Sequence, residues 1–176
     1  MNDNLSKHRH QRVEERIAQL REKQEIEAIE EIIEFNETPA ELKANMDRFV
    51  IGQEKGKKIM STAIAFHYRR LGDALKKGMV ENNGDIDLTL RNTRTPKANI
   101  LIIGPTGCGK TYTSETASQL VGVSFVHEDM TKFSEVGYVG QNASDILIDL
   151  PTTMGGNPHV AQMGIEYLDE IDKIAS

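Results

Sequence analysis

Cysteine, tryptophan and long apolar runs are the features that this sequence has least of. Cys108 is the only cysteine among 176 residues, which excludes an internal disulfide and a cysteine-rich zinc module and fits a reducing compartment. There is no tryptophan, and no apolar run approaches the roughly 18 residues that a membrane-spanning helix needs. The first dozen residues are polar and lack the apolar core of a secretory signal. We therefore expect a cytoplasmic protein with no membrane partner.

Positive charge is also scarce. Lysine and arginine number 21 against 27 aspartates and glutamates, so the formal net charge is −6. Nucleic-acid-binding domains usually carry an excess of positive charge, and this composition gives no reason to expect such a partner. The length suits one sizeable domain, or one domain with an appendage.

The N-terminal segment, from about Leu5 to Phe35, contains neither glycine nor proline. Between Arg12 and Glu34, eight glutamates stand against three arginines and one lysine. Apolar residues recur mostly three or four positions apart, which predicts one long helix with a narrow apolar stripe; they are Val13, Ile17, Leu20, Ile29, Ile32 and Ile33. We assign residues 1–37 to a charged helical extension, which is either an arm for a partner or a solvated helix without one.

The next segment contains turn and cap signals. Thr38-Pro39-Ala40-Glu41 has the form of a capping box, and it predicts a short helix that ends at about Arg48. A second helix is predicted from about Glu54 to Leu71. The following stretch, Gly72 to Pro96, contains glycine and Asn-Asn-Gly, and we interpret it as a mobile connection.

A phosphate-binding loop follows. The apolar run Ile100–Ile103 predicts a buried parallel strand, and Gly104–Thr111 satisfies the pattern GxxxxGK[ST]. Glycines at three positions allow backbone N–H groups to surround an anion, and the next helix presents its positive end to it. Lys110 can reach the β- and γ-phosphates of a nucleotide, and the Thr111 hydroxyl can ligate Mg²⁺. The sequence therefore predicts binding of a nucleoside triphosphate.

Strands and helices alternate after this loop, which predicts a parallel α/β sheet. The expected elements are a helix over Thr113–Leu120, a strand over Val121–Val126, a helix over Asp145–Leu150, a loop over Thr152–Pro158 and a strand over Gly164–Glu170.

Two carboxylates close the last of these strands. An NTPase needs one carboxylate at the end of a neighbouring strand for Mg²⁺ and a base that orients the attacking water. We assign the first role to Asp169 and the second to Glu170, the catalytic carboxylate. Glu166 is unusual, because the middle of a covered parallel strand favours an apolar side chain. It needs either a hydrated strand end or a cationic partner.

Five motifs occur in order within residues 38–176: Arg48–Gln53 with Lys57-Lys58, His67–Leu71, Gly104–Thr111, Gly137–Gly140 and Leu168–Ile174. Together they resemble one family, the ClpX-type AAA+ protein unfoldases. Only the phosphate loop is shared by NTPases in general. The sister family HslU is similar around Thr131–Glu135, but it has a long insertion where this chain has only Pro151–Gln162, so the ClpX type is favoured.

The resemblance implies the large domain of an AAA+ P-loop NTPase, a parallel sheet flanked by helices. It implies homo-hexameric rings that bind ATP and Mg²⁺ and pull protein substrates through a pore, often into a ClpP-like peptidase. Val50 and Ile51 would lie against the adenine, and Tyr138 and Val139 would grip the substrate. The nucleotide phosphates and metal would contact Pro105, Thr106, Gly107, Cys108, Gly109, Lys110 and Thr111, with Lys110 also in a catalytic role.

Two departures from the family bear on these expectations. The four-cysteine zinc module common in ClpX proteins is missing, and the charged helix stands in its place. The family's sensor residues, arginine finger and small helical domain, and the two strands that flank the phosphate-loop strand, would lie past Ser176. We expect this truncated polypeptide alone to be marginally folded and to hydrolyse ATP at no useful rate.

Two other functions remain open. One is a short chain that binds nucleotide without catalysis and modulates a full-length ring. The other is an AAA+ motor that acts on DNA, which is disfavoured by the acidic net charge and by Tyr138, since a DNA translocator more often has basic pore residues.

Overall fold

The computed structural model describes residues 2–94, 99–133 and 157–175. Within these ranges the helices are α1 (Asn2–Glu34), α2 (Pro39–Asp47), α3 (Glu54–Glu81), α4 (Ile86–Asn92), α5 (Lys110–Val121) and α6 (Pro158–Ala161). The strands are β1 (Phe125–Asp129) and β2 (Ile165–Asp169), and 3-10 turns follow them at Met130–Phe133 and Ile171–Ala175.

Helix α1 confirms the long N-terminal helix. The residues of its apolar stripe are buried near its C-terminal end and exposed nearer its N-terminus. Ile29 and Ile32 are buried in the main core, next to α3. Val13 and Leu20, nearer the N-terminus, are about half exposed, at 51% and 52%. The C-terminal turns of α1 therefore belong to the packed core. The division into an extension and an AAA+ part remains a prediction.

Helix α2 begins with the capping box that the sequence predicted. The Glu41 amide donates to the Thr38 hydroxyl oxygen, and the Glu41 carboxylate accepts from the Thr38 amide at 2.8 Å. These hydrogen bonds lower the pKa of Glu41, because they favour the ionised carboxylate. Arg48 caps the other end, as expected.

Helix α3 is longer than the sequence predicted, so the assigned end at Leu71 is wrong. The helix continues for ten more residues to Glu81. Gly72 does not end it, because the glycine faces α1: a Cβ there would lie 2.5 Å from the Ile32 carbonyl oxygen. Glycine at this position permits two helices to approach closely.

The mobile connection predicted for Gly72–Pro96 is also wrong over most of its described part. It contains the end of α3 and all of α4, whose N-cap Asp85 accepts from the Leu88 amide at 2.9 Å. Gly78 packs against Thr89 of α4, where a Cβ would lie 2.8 Å from the threonine methyl. This segment is ordered by packing between helices, which its local composition does not reveal.

The strand predicted at Ile100–Ile103 is not formed. Residues 99–105 have neither helical nor strand structure, and Leu101 and Ile103 are 76% and 87% exposed. In the part of the chain that the structure describes, the sheet consists of β1 and β2, and neither pairs with this run. A strand requires a neighbour for its backbone hydrogen bonds, and hydrophobic composition alone does not supply one.

The two strands are parallel, as predicted, and run in register from Phe125 opposite Ile165 to Asp129 opposite Asp169. The boundaries of β2 match the sequence-based strand closely. The strand predicted at Val121–Val126 begins late, at Phe125, because Val121 still belongs to α5. Gly122, with φ +79°, ends that helix in the left-handed conformation.

One buried side chain joins α3 to the start of β2. Tyr68 is 2% exposed, and its hydroxyl donates to the Met163 carbonyl oxygen at 2.8 Å. Burial raises the pKa of the Tyr68 phenol, which therefore remains a donor. The surrounding core also contains Leu42 and Met46 of α2, so α2, α3 and the edge of the sheet share one apolar centre.

Some predictions lie outside the described residues. These are the Tyr138 and Val139 motif, the helix over Asp145–Leu150 and most of the loop over Thr152–Pro158. Among the helices that the structure describes, none has the length and apolar character required to cross a bilayer.

Candidate nucleotide-binding site

The phosphate loop has the backbone conformation that its sequence predicts. Gly107 and Gly109 have φ values of +78° and +86°, in the left-handed region that favours glycine. A Cβ at either position would meet no atom within 4 Å, so the backbone conformation, not packing, requires glycine. Gly109 is also the N-cap of α5 and provides no side-chain acceptor. The first amides of α5 can therefore serve an anion.

Lys110 is the first residue of α5 and folds back over the loop. Its ammonium donates to the carbonyl oxygens of Gly104 and Pro105, at 3.1 and 3.0 Å. The side chain is half-buried, as is that of Thr111 next to it. The charge is therefore held on the loop that would cradle the phosphates.

The two carboxylates stand at the end of β2, as predicted. The Glu170 amide donates to one oxygen of Asp169 at 3.0 Å. Glu170 has φ +56°, a left-handed conformation that is uncommon for a residue other than glycine. The chain turns sharply here, and the Glu170 side chain is exposed. Glu166, the unusual residue within the strand, is also exposed.

One cleft brings both halves of the predicted site together. Its volume is about 1160 Å³, and its lining includes residues 104–106 and Lys110 as well as Asp169 and Glu170. The apolar wall comes from α3, through Met60 and Ile64 among others. The sequence placed these residues in one site although about 60 positions separate them, and the shared cleft agrees with that placement.

His127 is a neighbour of the site that the sequence did not indicate. Its Nε2 lies 3.4 Å from the second carboxylate oxygen of Asp169, and both side chains are partly exposed. His127 is on β1, opposite Tyr167, so its approach to Asp169 follows from the strand register. The strand assigned to Val121–Val126 ended one residue before His127, and no local signal would have paired it with Asp169.

The Arg48–Gln53 loop, between α2 and α3, places the two residues predicted to lie against the adenine differently. Val50 is 5% exposed and Ile51 is 97% exposed. Ile51 is thus the one of the pair that is free to contact a ligand, whereas Val50 belongs to the interior. The predicted pair does not present a common surface in this structure.

A buried lysine fixes the base of this loop. Lys57 is 1% exposed, donates to the Val50 carbonyl oxygen at 2.9 Å, and forms ion pairs with Asp47 and Glu54. Lys43 contacts the same two carboxylates. Hydrogen bonds from Lys43 and Lys57 lower the pKa of Asp47 and of Glu54. Hydrogen bonding to Asp47 raises the pKa of Lys57, so all four groups are charged at neutral pH.

A single side chain from the loop reaches the phosphate loop. The Gln53 amide nitrogen Nε2 donates to the Cys108 carbonyl oxygen at 2.8 Å. This contact could not be predicted from the sequence, since the two residues are 55 positions apart. It joins the segment expected near the adenine to the segment expected around the phosphates.

The residues present fit a nucleotide with Mg²⁺. Within the described residues, no group of three or more histidine, cysteine, aspartate or glutamate side chains could hold a metal ion on its own. Mg²⁺ in NTPases needs fewer protein ligands, because it keeps several waters and takes its remaining ligands from one or two protein oxygens and the phosphates. The Thr111 hydroxyl and the Asp169 carboxylate are suitable oxygens.

Comparisons with known proteins indicate the same class of protein as the sequence motifs. A protein-family model described as "AAA domain (Cdc48 subfamily)" matches residues 95–176. The chain is similar to ATP-dependent Clp protease ATP-binding subunit ClpX 3 of Methylococcus capsulatus, with 39% identity over 137 residues, which are 78% of this chain and 30% of the relative. The corresponding ClpX subunit of Treponema denticola is 40% identical over 138 residues, again 78% and 30% of the two chains. That of Borrelia duttonii is 38% identical over 138 residues, which are 78% and 29%. The aligned part thus spans about a third of the length of these relatives.

Proposed function

We propose, since this chain belongs to the ClpX-type AAA+ proteins, that it forms the nucleotide-binding part of an ATP-hydrolysing protein unfoldase. The observation that carries the proposal is the single cleft that contains both Lys110 of the phosphate loop and the carboxylates Asp169 and Glu170. The names of the relatives favour the ClpX type over the HslU alternative.

The residues of the site have separate roles in this proposal. The amides of residues 105–109 and the Lys110 ammonium bind the phosphates, and the Thr111 hydroxyl and Asp169 carboxylate hold Mg²⁺. The bound metal would supply positive charge to the phosphate oxygens. Glu170 orients the attacking water and accepts its proton. Ile51 covers one face of the adenine, and the buried Val50 supports it.

The wider assembly follows from the same family membership. We expect a homo-hexamer that moves protein substrates with Tyr138 and Val139 and passes them to a ClpP-like peptidase in the cytoplasm. Residues 1–37 would then be an appendage of the AAA+ part. The support is the similarity to proteins named as ATP-binding subunits of Clp protease.

Binding of phosphate compounds tests the first half of the proposal. We expect the chain to bind a fluorescent ATP analogue in the presence of Mg²⁺, with inorganic tripolyphosphate as a competitor. Lys110→Met should weaken the affinity for both by at least tenfold, because it removes the charge that reaches the phosphates. The matched control is Lys76→Met, which removes an exposed lysine of α3. An equal affinity in the Lys110 and Lys76 variants would contradict the assignment.

Measurements of ATP hydrolysis test the second half of the proposal, the catalytic role of Glu170. In the assembled protein, Glu170→Gln should abolish ATP turnover and leave ATP bound, because the amide cannot accept a proton from water. Glu115→Gln, which neutralises an exposed carboxylate on α5, should leave turnover unchanged. If wild type and Glu170→Gln bind ATP equally and neither hydrolyses it, the protein is a nucleotide-binding module, not an ATPase.

A further inference from the structure

The contact between Gln53 and Cys108 lies at a sensitive point of the phosphate loop. The carbonyl oxygen that accepts from Gln53 belongs to the peptide bond between Cys108 and Gly109. The residues on either side of Cys108 are the two left-handed glycines, Gly107 and Gly109. Glycine has low barriers to changes in φ and ψ, so this peptide plane is free to rotate unless a hydrogen bond fixes it.

Peptide geometry then determines the direction of the next amide. The described part of the chain has no cis peptide bonds, and in a trans peptide the C=O and the N–H point in opposite directions. A Cys108 carbonyl directed at Gln53 therefore directs the Gly109 N–H away from Gln53. If the plane rotated by half a turn, the carbonyl oxygen would take the place of the amide and would repel an anion there.

We propose that Gln53 is a positioning residue for the phosphate loop, and that it holds the Cys108–Gly109 peptide so that the Gly109 N–H faces the phosphates. This inference rests on the proposed nucleotide function of the cleft. It goes further by giving Gln53 a positioning role toward the phosphates, whereas the sequence connected only Val50 and Ile51 of the same loop with the nucleotide, at the adenine.

The attachment of Gln53 to the fold supports this role. Its φ is +56°, and Gly52 before it has φ +75°, so the backbone turns sharply to direct the Gln53 side chain at the loop. The Gln53 carbonyl accepts the first hydrogen bond of α3, from the Lys57 amide at 2.8 Å. Lys57 also holds Val50 through its side chain. The Gln53 side chain thus comes from a backbone that is held on both sides of the turn, which maintains its left-handed conformation.

The decisive variant removes the donor and keeps the shape. Gln53→Met has nearly the same length and no charge, but it cannot donate to Cys108. We expect its affinity for tripolyphosphate and for the ATP analogue to fall by the same factor, about tenfold, because both ligands lose the oriented amide. Ile51→Ala should differ: it should weaken the binding of ATP alone, since tripolyphosphate has no base. The control Gln119→Met changes an exposed glutamine on α5 and should bind both ligands like wild type.

A spectroscopic measurement separates positioning from a general structural effect. In ¹H–¹⁵N spectra, tripolyphosphate should shift the Gly109 amide resonance of wild type strongly, and that of Gln53→Met much less. Unfolding curves show whether the variant is folded. If it is not, Gln53→Asn replaces it, because asparagine tolerates the left-handed conformation and its shorter side chain does not reach Cys108.

The outcomes distinguish this inference from the function on which it rests. Wild-type protein that binds neither ligand would overturn the proposed function and the role of Gln53 with it. If wild type binds both ligands and folded Gln53→Met binds them equally well, the nucleotide site stands and the positioning role is refuted. A loss confined to ATP would also refute it, because it would place Gln53 at the base.

Discussion

Gly72 of α3 lies so close to Ile32 of α1 that a Cβ on the glycine would be 2.5 Å from the isoleucine carbonyl oxygen. The nearest atoms belong to the backbone of α1, which cannot move aside as a flexible side chain could. The N-terminal helix is therefore fixed to the core by contact between two helix backbones as well as by the burial of Ile29 and Ile32.

Gly72→Ala should destabilise the protein even though alanine is the better helix former. We expect a loss of about 1–3 kcal/mol in the free energy of unfolding, because the added methyl group must push α1 away. Gly56→Ala, also in α3, is the matched control: its Cβ would meet nothing within 4 Å, so it should stabilise by up to about 1 kcal/mol. Urea unfolding of both variants measures the difference, and equal effects would contradict the close contact.

Tyr68→Phe should cost about 1–2 kcal/mol of stability, because it leaves the buried Met163 carbonyl oxygen without its hydrogen bond. Tyr112→Phe removes the same hydroxyl from a side chain that is 53% exposed and should change stability by less than about 0.5 kcal/mol. Thermal unfolding of the two variants is the measurement. A similar midpoint for both would show that the Tyr68 bond contributes nothing.

Lys57→Met should be more harmful than Lys58→Met. Lys57 is buried against two carboxylates and a carbonyl, whereas its neighbour is exposed. Loss of the ammonium leaves Asp47 and Glu54 facing one another with only Lys43 between them. We expect a lower unfolding midpoint and greater hydrogen exchange at the amides of the Arg48–Gln53 loop. The prediction is wrong if the two methionine variants exchange alike.

The same carboxylates predict an acid-sensitive stability. The pKa of Asp47 is lower in the folded protein than its ordinary value of 3.8, so the unfolded chain binds a proton more readily. The contribution of Asp47 is therefore complete above about pH 5 and is lost as the pH falls through its folded pKa, below about 4. Asp47→Asn should flatten the decrease in unfolding free energy between about pH 5 and pH 3. A slope identical to that of wild type would exclude Asp47 as a source of the effect.

Local signals predicted the parts of the fold that depend on local chemistry. The capping box at Thr38, the strand ending at Asp169 and the glycines of the phosphate loop all use interactions within a few residues. Glycine was misleading elsewhere. Gly72 and Gly78 look like helix breakers in sequence, but they are the points where other helices pack closely. The run at Ile100–Ile103 has the composition of a strand, but a strand also depends on partners that are distant in sequence.

In the candidate site, too, features with local signals could be predicted and features that depend on distant contacts could not. Lys110 and the carboxylates of β2 could be predicted because each belongs to a recognisable motif at the end of an element. The side chains that support them could not. Gln53 meets Cys108 and His127 meets Asp169 only after loops and strands come together, and Lys57 is buried where its ammonium meets Asp47 of α2 and the Val50 carbonyl.

Helix α1 determines how far its N-terminal end lies from the packed core. It is 33 residues long, which corresponds to about 50 Å, and the first side chain along it with a described bond to the C-terminal half of the chain is Glu25, which accepts from Asn157. The first turn therefore lies about 35 Å along the helix axis from that attachment. A flexible chain of the same length would sample many end-to-end distances. A helix instead keeps its N-terminal end, and anything bound there, at a nearly constant distance from the core.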